Sequence, residues 1–438
     1  MRSVLQLGLM LGAIACGSDT PAPSPADPTP EPTAEAAGEP VERGQETFKV
    51  GGGMDAAKIA AFKPTLPERV GRTPVPLATD PRYEKTAAFL EQVVRQRAGE
   101  PTNPWAIGHG LVALGPDLLL SNGKPAVDHL FETYAERFDV DGHTFVRFPR
   151  KKGDIRVEPH AALMLKAFTE AGVSPDHKVT VQGHEHTVAD LYRGVLLSAA
   201  VDPKTGRSTF TSPNDMPWAL QALASWAPTG KDFRWVAANG MVMSLNDFAM
   251  LNTSVLIAES QPLFDTMQAG AALEKRGQGI FKFTCGGAHL LQGTAYAVGR
   301  GFTTDLGTKG MRGQVALMYW RLPAELRIYD DLMKRIDKEE HLVLLLVQRL
   351  KFTGHFLESM HKMAILGLYT PTPEQERVLV GAADQIVLTV QALQSRGVYN
   401  NLDAIRAKDE QLYLDIVGDS AHALRGLNLA TGTGGLRH

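Results

Sequence analysis

The sequence predicts an all-α fold in which six helix pairs close into an (α/α)6 toroid behind a tether that takes no part in the packing. Three observations predict it. Helical periodicity recurs in pairs between about residues 80 and 430. In each pair the second helix is apolar nearly all round, which marks it as buried, while the first keeps one charged face. A histidine or tryptophan also recurs near the start of each second helix, at His109, His160, Trp218, His289, His355 and His422, with spacings of 51 to 71 residues. A loose period of helix-hairpin size is the mark of a helical repeat. An open array keeps one face of every inner helix wet, so inner helices apolar on all sides point to closure.

The elements follow in order. The N-terminal "MRSVLQLGLMLGAIAC" has a basic start at Arg2, an apolar run too short to span a membrane, and small residues before Cys16, the pattern of a signal segment over 1–15. Residues 16–54 are rich in Pro, Ala, Glu and Thr, with almost no large apolar side chain, and predict a disordered, solvated tether. A single domain is expected over 55–438. Its first pair is 82–98 with a short apolar helix opened by Asn103-Pro104 as N-cap and first residue. The second pair is 125–138 with a helix beginning at Pro159. The third is 187–200 with "NDMPWALQALASW", and the fourth is 245–275 with "CGGAHLLQGTAYAVG". The fifth is 311–350 with "GHFLESMHKMAILGLY", and the sixth is 373–395 with "GDSAHALRGLNLA". Polar alternating stretches at 143–150 and 177–188 read as hairpins between helices. "KFT" recurs at 282–284 and 351–353, each time followed by glycine and histidine, which predicts Thr284 and Thr353 as N-caps of inner helices.

Two resemblances sharpen this. Ala13-Ile14-Ala15-Cys16 resembles the lipobox of bacterial lipoproteins, which implies lipidation of Cys16, attachment to a membrane through that lipid, and a place in the cell envelope. Gly17, where an Asp would signal retention, implies the outer membrane. Over residues 80–430 the repeat layout resembles the α/α-toroid superfamily of terpene cyclases, protein prenyltransferases, lanthionine cyclases and several glycosidases and polysaccharide lyases. That resemblance implies parallel inner helices whose starts meet in one pocket.

The pocket so implied collects His109, Glu158, His160, Asp215, Trp218, Cys285, His289, His355, Asp419 and His422, and six helix N-termini would give it positive potential. Three chemistries stay open. Cys285 and His289, at i and i+4, with His355 on the next inner helix, form a candidate zinc set. The chain's two cysteines leave Cys285 unmatched once Cys16 carries lipid, so a redox thiol or inert burial beside Gly286-Gly287 are the rivals. Asp215 and Asp419, with Glu158, are the acids for a carboxylate-pair mechanism, against which stands their fitness as helix caps. His289 and His355 are candidate general bases, against which stands a histidine inherited by each repeat to bond its neighbouring turn. The net charge of -3 and the lack of basic runs exclude nucleic acid as a partner. The expected function is binding or processing of an envelope or environmental ligand, carbohydrate or peptide-like, small molecule or polymer. The other class is a scaffold with no active site. Burial of these groups around one open cavity would favour the first, and a centre filled with side chains the second.

Overall fold

Asn103-Pro104 opens a helix as expected. The Asn103 side chain accepts a hydrogen bond from the Ala106 amide at 3.1 Å, and Pro104 sits in the first turn, where its missing N–H costs nothing. The computed structural model describes residues 52–66, 80–202, 205, 207–229, 232–275 and 277–434. The signal segment, Cys16 and the tether up to residue 51 lie outside the described residues. Within them are fourteen α-helices and four two-stranded antiparallel hairpins, so the chain is all-α.

In chain order the elements are α1 (Ala56–Ala61), α2 (Pro81–Ala98), α3 (Pro104–Leu114), α4 (Ala126–Tyr134), β1 (Glu136–Val140), β2 (His143–Arg147), β3 (Lys151–Lys152), β4 (Ile155–Arg156) and α5 (Leu163–Ala171). Then come β5 (Lys178–Val181), β6 (His184–Thr187), α6 (Val188–Ser198), α7 (Met216–Trp226), β7 (Arg234–Val236), β8 (Val242–Ser244) and α8 (Leu245–Gln268). The chain ends with α9 (Ala288–Gly299), α10 (Asp305–Met333), α11 (Glu339–Ile365), α12 (Pro373–Ser395), α13 (Leu402–Lys408) and α14 (Glu410–Ala430). The two hairpins read from the sequence are β1-β2 and β5-β6. They turn on Asp141-Gly142 and Gln182-Gly183, each with positive φ at both residues, the backbone twist that suits a two-residue hairpin loop.

The helices expected to be inner are α3, α5, α7, α9, α11 and α14. Every residue of α5 and α7 is buried, and every residue of α9 except Gly299. α3 packs on α5, α5 on α7, α7 on α9, α9 on α11, α11 on α14, and α14 on α3. The amphipathic helices lie outside these contacts. α2 buries Tyr83, Ala87, Leu90 and Val94 at helical intervals and rests on α3 and α14. α11 and α14 approach most closely. A Cβ on Gly354 would stand 2.9 Å from the Ala423 amide nitrogen, and one on Gly426 would stand 3.2 Å from the Gly354 carbonyl.

Several expected helix starts move. α5 begins at Leu163 rather than Pro159, after Ala162 in a left-handed conformation (φ 62°). Thr353 is no N-cap: α11 runs through it unbroken, and its hydroxyl returns to the Arg349 and Leu350 carbonyls. The apolar run 342–350 carries helical burial across "KFT", and one glycine at 354 is too weak a breaker to stop it. Thr284 opens a 3-10 turn (Thr284–Gly287) ahead of α9, whose N-cap is Gly287. Asp419 likewise lies inside α14 and caps nothing. At the other end, Met54 already exchanges backbone hydrogen bonds with Arg234 and Val236, so the packed body starts slightly before residue 55.

Candidate functional site

The left-handed run before α9 puts the thiol in place. Cys285 (φ 54°, ψ 38°), Gly286 (φ 62°) and Gly287 (φ 82°) are all left-handed, a conformation that costs an L side chain about 1–2 kcal/mol. Glycine is required at 287, where a Cβ would meet the Ile280 side chain at 2.3 Å. Asn214 accepts a hydrogen bond from the Thr284 amide at 3.0 Å, and the Arg321 guanidinium donates to the Gly286 carbonyl at 3.3 Å. Cys285 is therefore not on a helix face at i, i+4 to His289, as the spacing suggested. The turn nevertheless brings the three expected groups together: the ligand atoms of Cys285, His289 and His355 all lie within 4.8 Å of one another.

Both imidazoles in that set are buried, His289 at 6% and His355 at 1% exposure. Nδ1 of His289 and both ring nitrogens of His355 have no hydrogen-bond partner. Buried imidazoles without partners are the exception in folded proteins. Burial, with the neighbouring histidines, holds His289 and His355 well below the ordinary imidazole range, so both are neutral near pH 7 and each keeps one ring nitrogen free of a proton.

Around them the rings form a continuous ladder. Trp105 packs on His109 (3.9 Å between centroids), His109 on His422 (5.6 Å), His422 on His355 (3.8 Å), His355 on His289 (4.9 Å), His289 on Trp218 (4.1 Å), and Trp218 on His160 (4.8 Å, nearly parallel). The six rings singled out in the sequence, His109, His160, Trp218, His289, His355 and His422, thus join Trp105 in one chain of contacts. The route is different from the expected one, because His355 and His422 lie well inside α11 and α14 rather than at their starts. Six converging helix N-termini consequently do not surround the cluster.

A cavity opens onto this ladder, lined by His109, Lys166, Trp218, His289 and His422 together with small and apolar residues of α3, α5 and α14. The space open to the centres of water-sized molecules is ≈ 20 Å³, room for about one water. His109 has one edge on the cavity, yet the protein around it strips its hydration and lowers it to about 3, with His422 adding to the effect.

The acids named from the sequence do not line that cavity. Asp215 is bound by His160 Nδ1 at 3.1 Å, by the Arg150 guanidinium at 2.6 Å and by the Thr211 hydroxyl at 2.9 Å. Burial opposes its charge, but the His160 and Thr211 bonds outweigh that and hold it below the ordinary range. Glu158 accepts from the Met164 amide at 2.9 Å and so caps α5; burial pushes it up to about 8. Asp419 lies 3.9 Å from Lys351, which also meets Asp415 at 2.9 Å.

Sequence reasoning missed the charged groups beside the ladder. Lys166 pairs with Glu170 at 2.9 Å, Lys362 also pairs with Glu170, and Lys362 lies 2.6 Å from Glu358. Glu358 holds His422 Nδ1 at 2.7 Å. Burial would raise Glu170, but Lys166 and Lys362 outweigh it and hold it at about 2. The signal was present: Lys166/Glu170 and Glu358/Lys362 are i, i+4 pairs inside helices otherwise apolar all round. A second buried network supports the Cys285 turn. Glu325 receives Arg321 at 2.8 and 2.9 Å and Lys275 at 2.7 Å, and Lys275 also meets the Tyr329 hydroxyl at 2.9 Å.

No protein family, curated protein sequence or solved structure matches the chain.

Proposed function

We propose that the chain is a cell-envelope lipoprotein whose helical body is an (α/α)6 toroid carrying a zinc centre held by Cys285, His289 and His355. The observation that carries the metal reading is a thiol and two imidazoles within 4.8 Å of one another, the imidazoles buried and left without partners. Each buried polar atom so left costs about 1–3 kcal/mol, and a divalent cation satisfies one nitrogen of each imidazole. Sulfur and imidazole nitrogen are the donors zinc favours. A zinc with three protein ligands keeps a fourth position, where it polarises the water or substrate that binds.

The toroid reading rests on the circuit of contacts from α3 through α14 back to α3. Within such a toroid the cavity at His109, Lys166 and Trp218 is the way to the metal. Its narrowness leaves room at the metal for a water or one small group, such as a small molecule or the end of a carbohydrate or peptide-like chain would present. The lipoprotein reading rests on Ala13-Ile14-Ala15-Cys16 and the tether composition. The scaffold reading keeps one observation in its favour: Lys166, Glu170, Lys362 and Glu358 fill the space beside the ladder.

Elemental analysis of protein purified without a histidine tag tests the centre. At least about one equivalent of zinc per chain is expected, falling in Cys285→Ser. Less than about a tenth of an equivalent in both forms sinks the zinc reading and leaves the scaffold. Cys16→Ser is expected to move the protein from the membrane to the soluble fraction; persistence in the membrane fraction counts against the lipid anchor.

A further inference from the structure

A histidine that ligates one ion ordinarily gives its other ring N–H to a carboxylate, a carbonyl or a water. His422 has such a partner in Glu358. His355 has none among the described residues: at 1% exposure, neither Nδ1 nor Nε2 is hydrogen-bonded. The two nitrogens face opposite sides of one ring, so a single ion can satisfy only one of them.

His355 also belongs to two donor sets. Its ligand atom falls within 4.8 Å of those of Cys285 and His289, and a second set is made by His355, Glu358 and His422 under the same limit. We propose that His355 bridges two metal positions, one completed by Cys285 and His289 and the other by Glu358 and His422. The proposal rests on the zinc reading for the first position and adds the second.

The donor spacing and the cavity support the second position. Zinc–ligand bonds of about 2.0–2.3 Å place donors roughly 3–4 Å apart, so each set needs only a small contraction. Glu358 is buried with Oε1 2.6 Å from Lys362 and Oε2 2.7 Å from His422 Nδ1, so a cation at the second position takes the carboxylate in place of the Lys362 ammonium. The cavity touches His289 and His422, one member of each set, giving both positions the same entry. Lys166 and Lys362 already offset Glu170 and Glu358, so the second ion adds positive charge, which is reduced as His355 gives its remaining ring proton to solvent and becomes the imidazolate bridge. The donors differ: the first position has a thiolate, whereas the second has a carboxylate and imidazoles, which suits a borderline first-row divalent ion.

The test uses the full chain extracted in detergent, stripped of metal and titrated with Co²⁺. The expected result is about two equivalents bound, with a thiolate-to-cobalt charge-transfer band that saturates at the first and magnetic coupling between ions that appears with the second. His422→Gln is expected to bind one ion, keep the band and lose the coupling. His355→Gln is expected to lose the coupling and weaken both positions. Binding that stops at one equivalent with the thiolate band present overturns the bridge and leaves the zinc reading standing. Two uncoupled ions that persist in His355→Gln overturn the bridge as well. Absence of both band and bound metal overturns this proposal and the zinc reading together. The wild-type titration decides alone should a variant fail to fold.

Discussion

Two buried polar clusters lie on either side of the Cys285 turn, and they answer burial in opposite ways. In the first, Lys275, Arg321, Glu325 and Tyr329 satisfy one another, and both cations also lie over Phe281 and Phe352. Burial opposes the charge of Glu325, yet Lys275 and Arg321 outweigh it and hold the carboxyl below its usual range. In the second, His289 and His355 meet other rings but keep nitrogens with no partner. Buried charge alone therefore does not mark a site in this molecule. What separates the two clusters is completeness: one is closed by protein atoms, and the other leaves ring nitrogens without a protein partner.

Substitutions can break that contrast, and the largest effect is expected in the closed cluster. Glu325→Ala strands Lys275 and Arg321 in the interior and should cost about 3–5 kcal/mol in urea denaturation. A loss below about 1 kcal/mol would mean the cluster is not held by its ion pairs. Acid should act in the same direction. Glu170 and Glu325 have folded values below the unfolded one near 4.5, so their contribution is full above that pH and is lost as pH falls from there toward about 2. A melting temperature that stays level over that interval would contradict the assignment.

The open cluster should behave with the opposite sign. In metal-free protein His355→Leu removes two unpartnered nitrogens and should be neutral or stabilising by about 1–3 kcal/mol, while metal binding falls. A cost as large as that of Glu325→Ala would show that His355 is satisfied without metal. The smallest effect belongs to the turn itself. Cys285→Gly relieves a left-handed side chain and should stabilise the metal-free protein by about 1 kcal/mol while removing the thiolate ligand. Destabilisation in the calorimeter would mean that thiol packing outweighs backbone strain.

The sequence was most informative where one physical signal acted alone. Burial of α5, α7 and α9 could be read from their apolar surfaces, and the Asn103-Pro104 start from capping chemistry. His109, Trp218, His289, His355 and His422 do meet, although His355 and His422 reach the ladder from mid-helix rather than from the helix starts that suggested them. Helix starts were legible only where a cap competes with nothing. At Thr353 the packing of a long apolar run overrides the local signal, and the helix passes through. Cys285 reaches His289 and His355 through a left-handed turn, and no helical spacing rule describes that. The acids Asp215, Glu158 and Asp419 were grouped by position along the chain. Their side chains instead go to Arg150 and His160, to the start of α5, and to the neighbourhood of Lys351, because a buried carboxylate takes the nearest donor.

The contact of α14 with both α2 and α3 sets the timing of assembly. Of the described helices α14 leaves the ribosome last, yet it contributes His422, presses its backbone against Gly354, and packs on α2 and α3 from the start of the helical body. Contacts of such long sequence separation form late. The histidine ladder therefore cannot be completed until α14 has left the ribosome and reached the earlier helices. On the proposed zinc reading, the ladder would take up its metal only in the compartment where α14 joins the other helices.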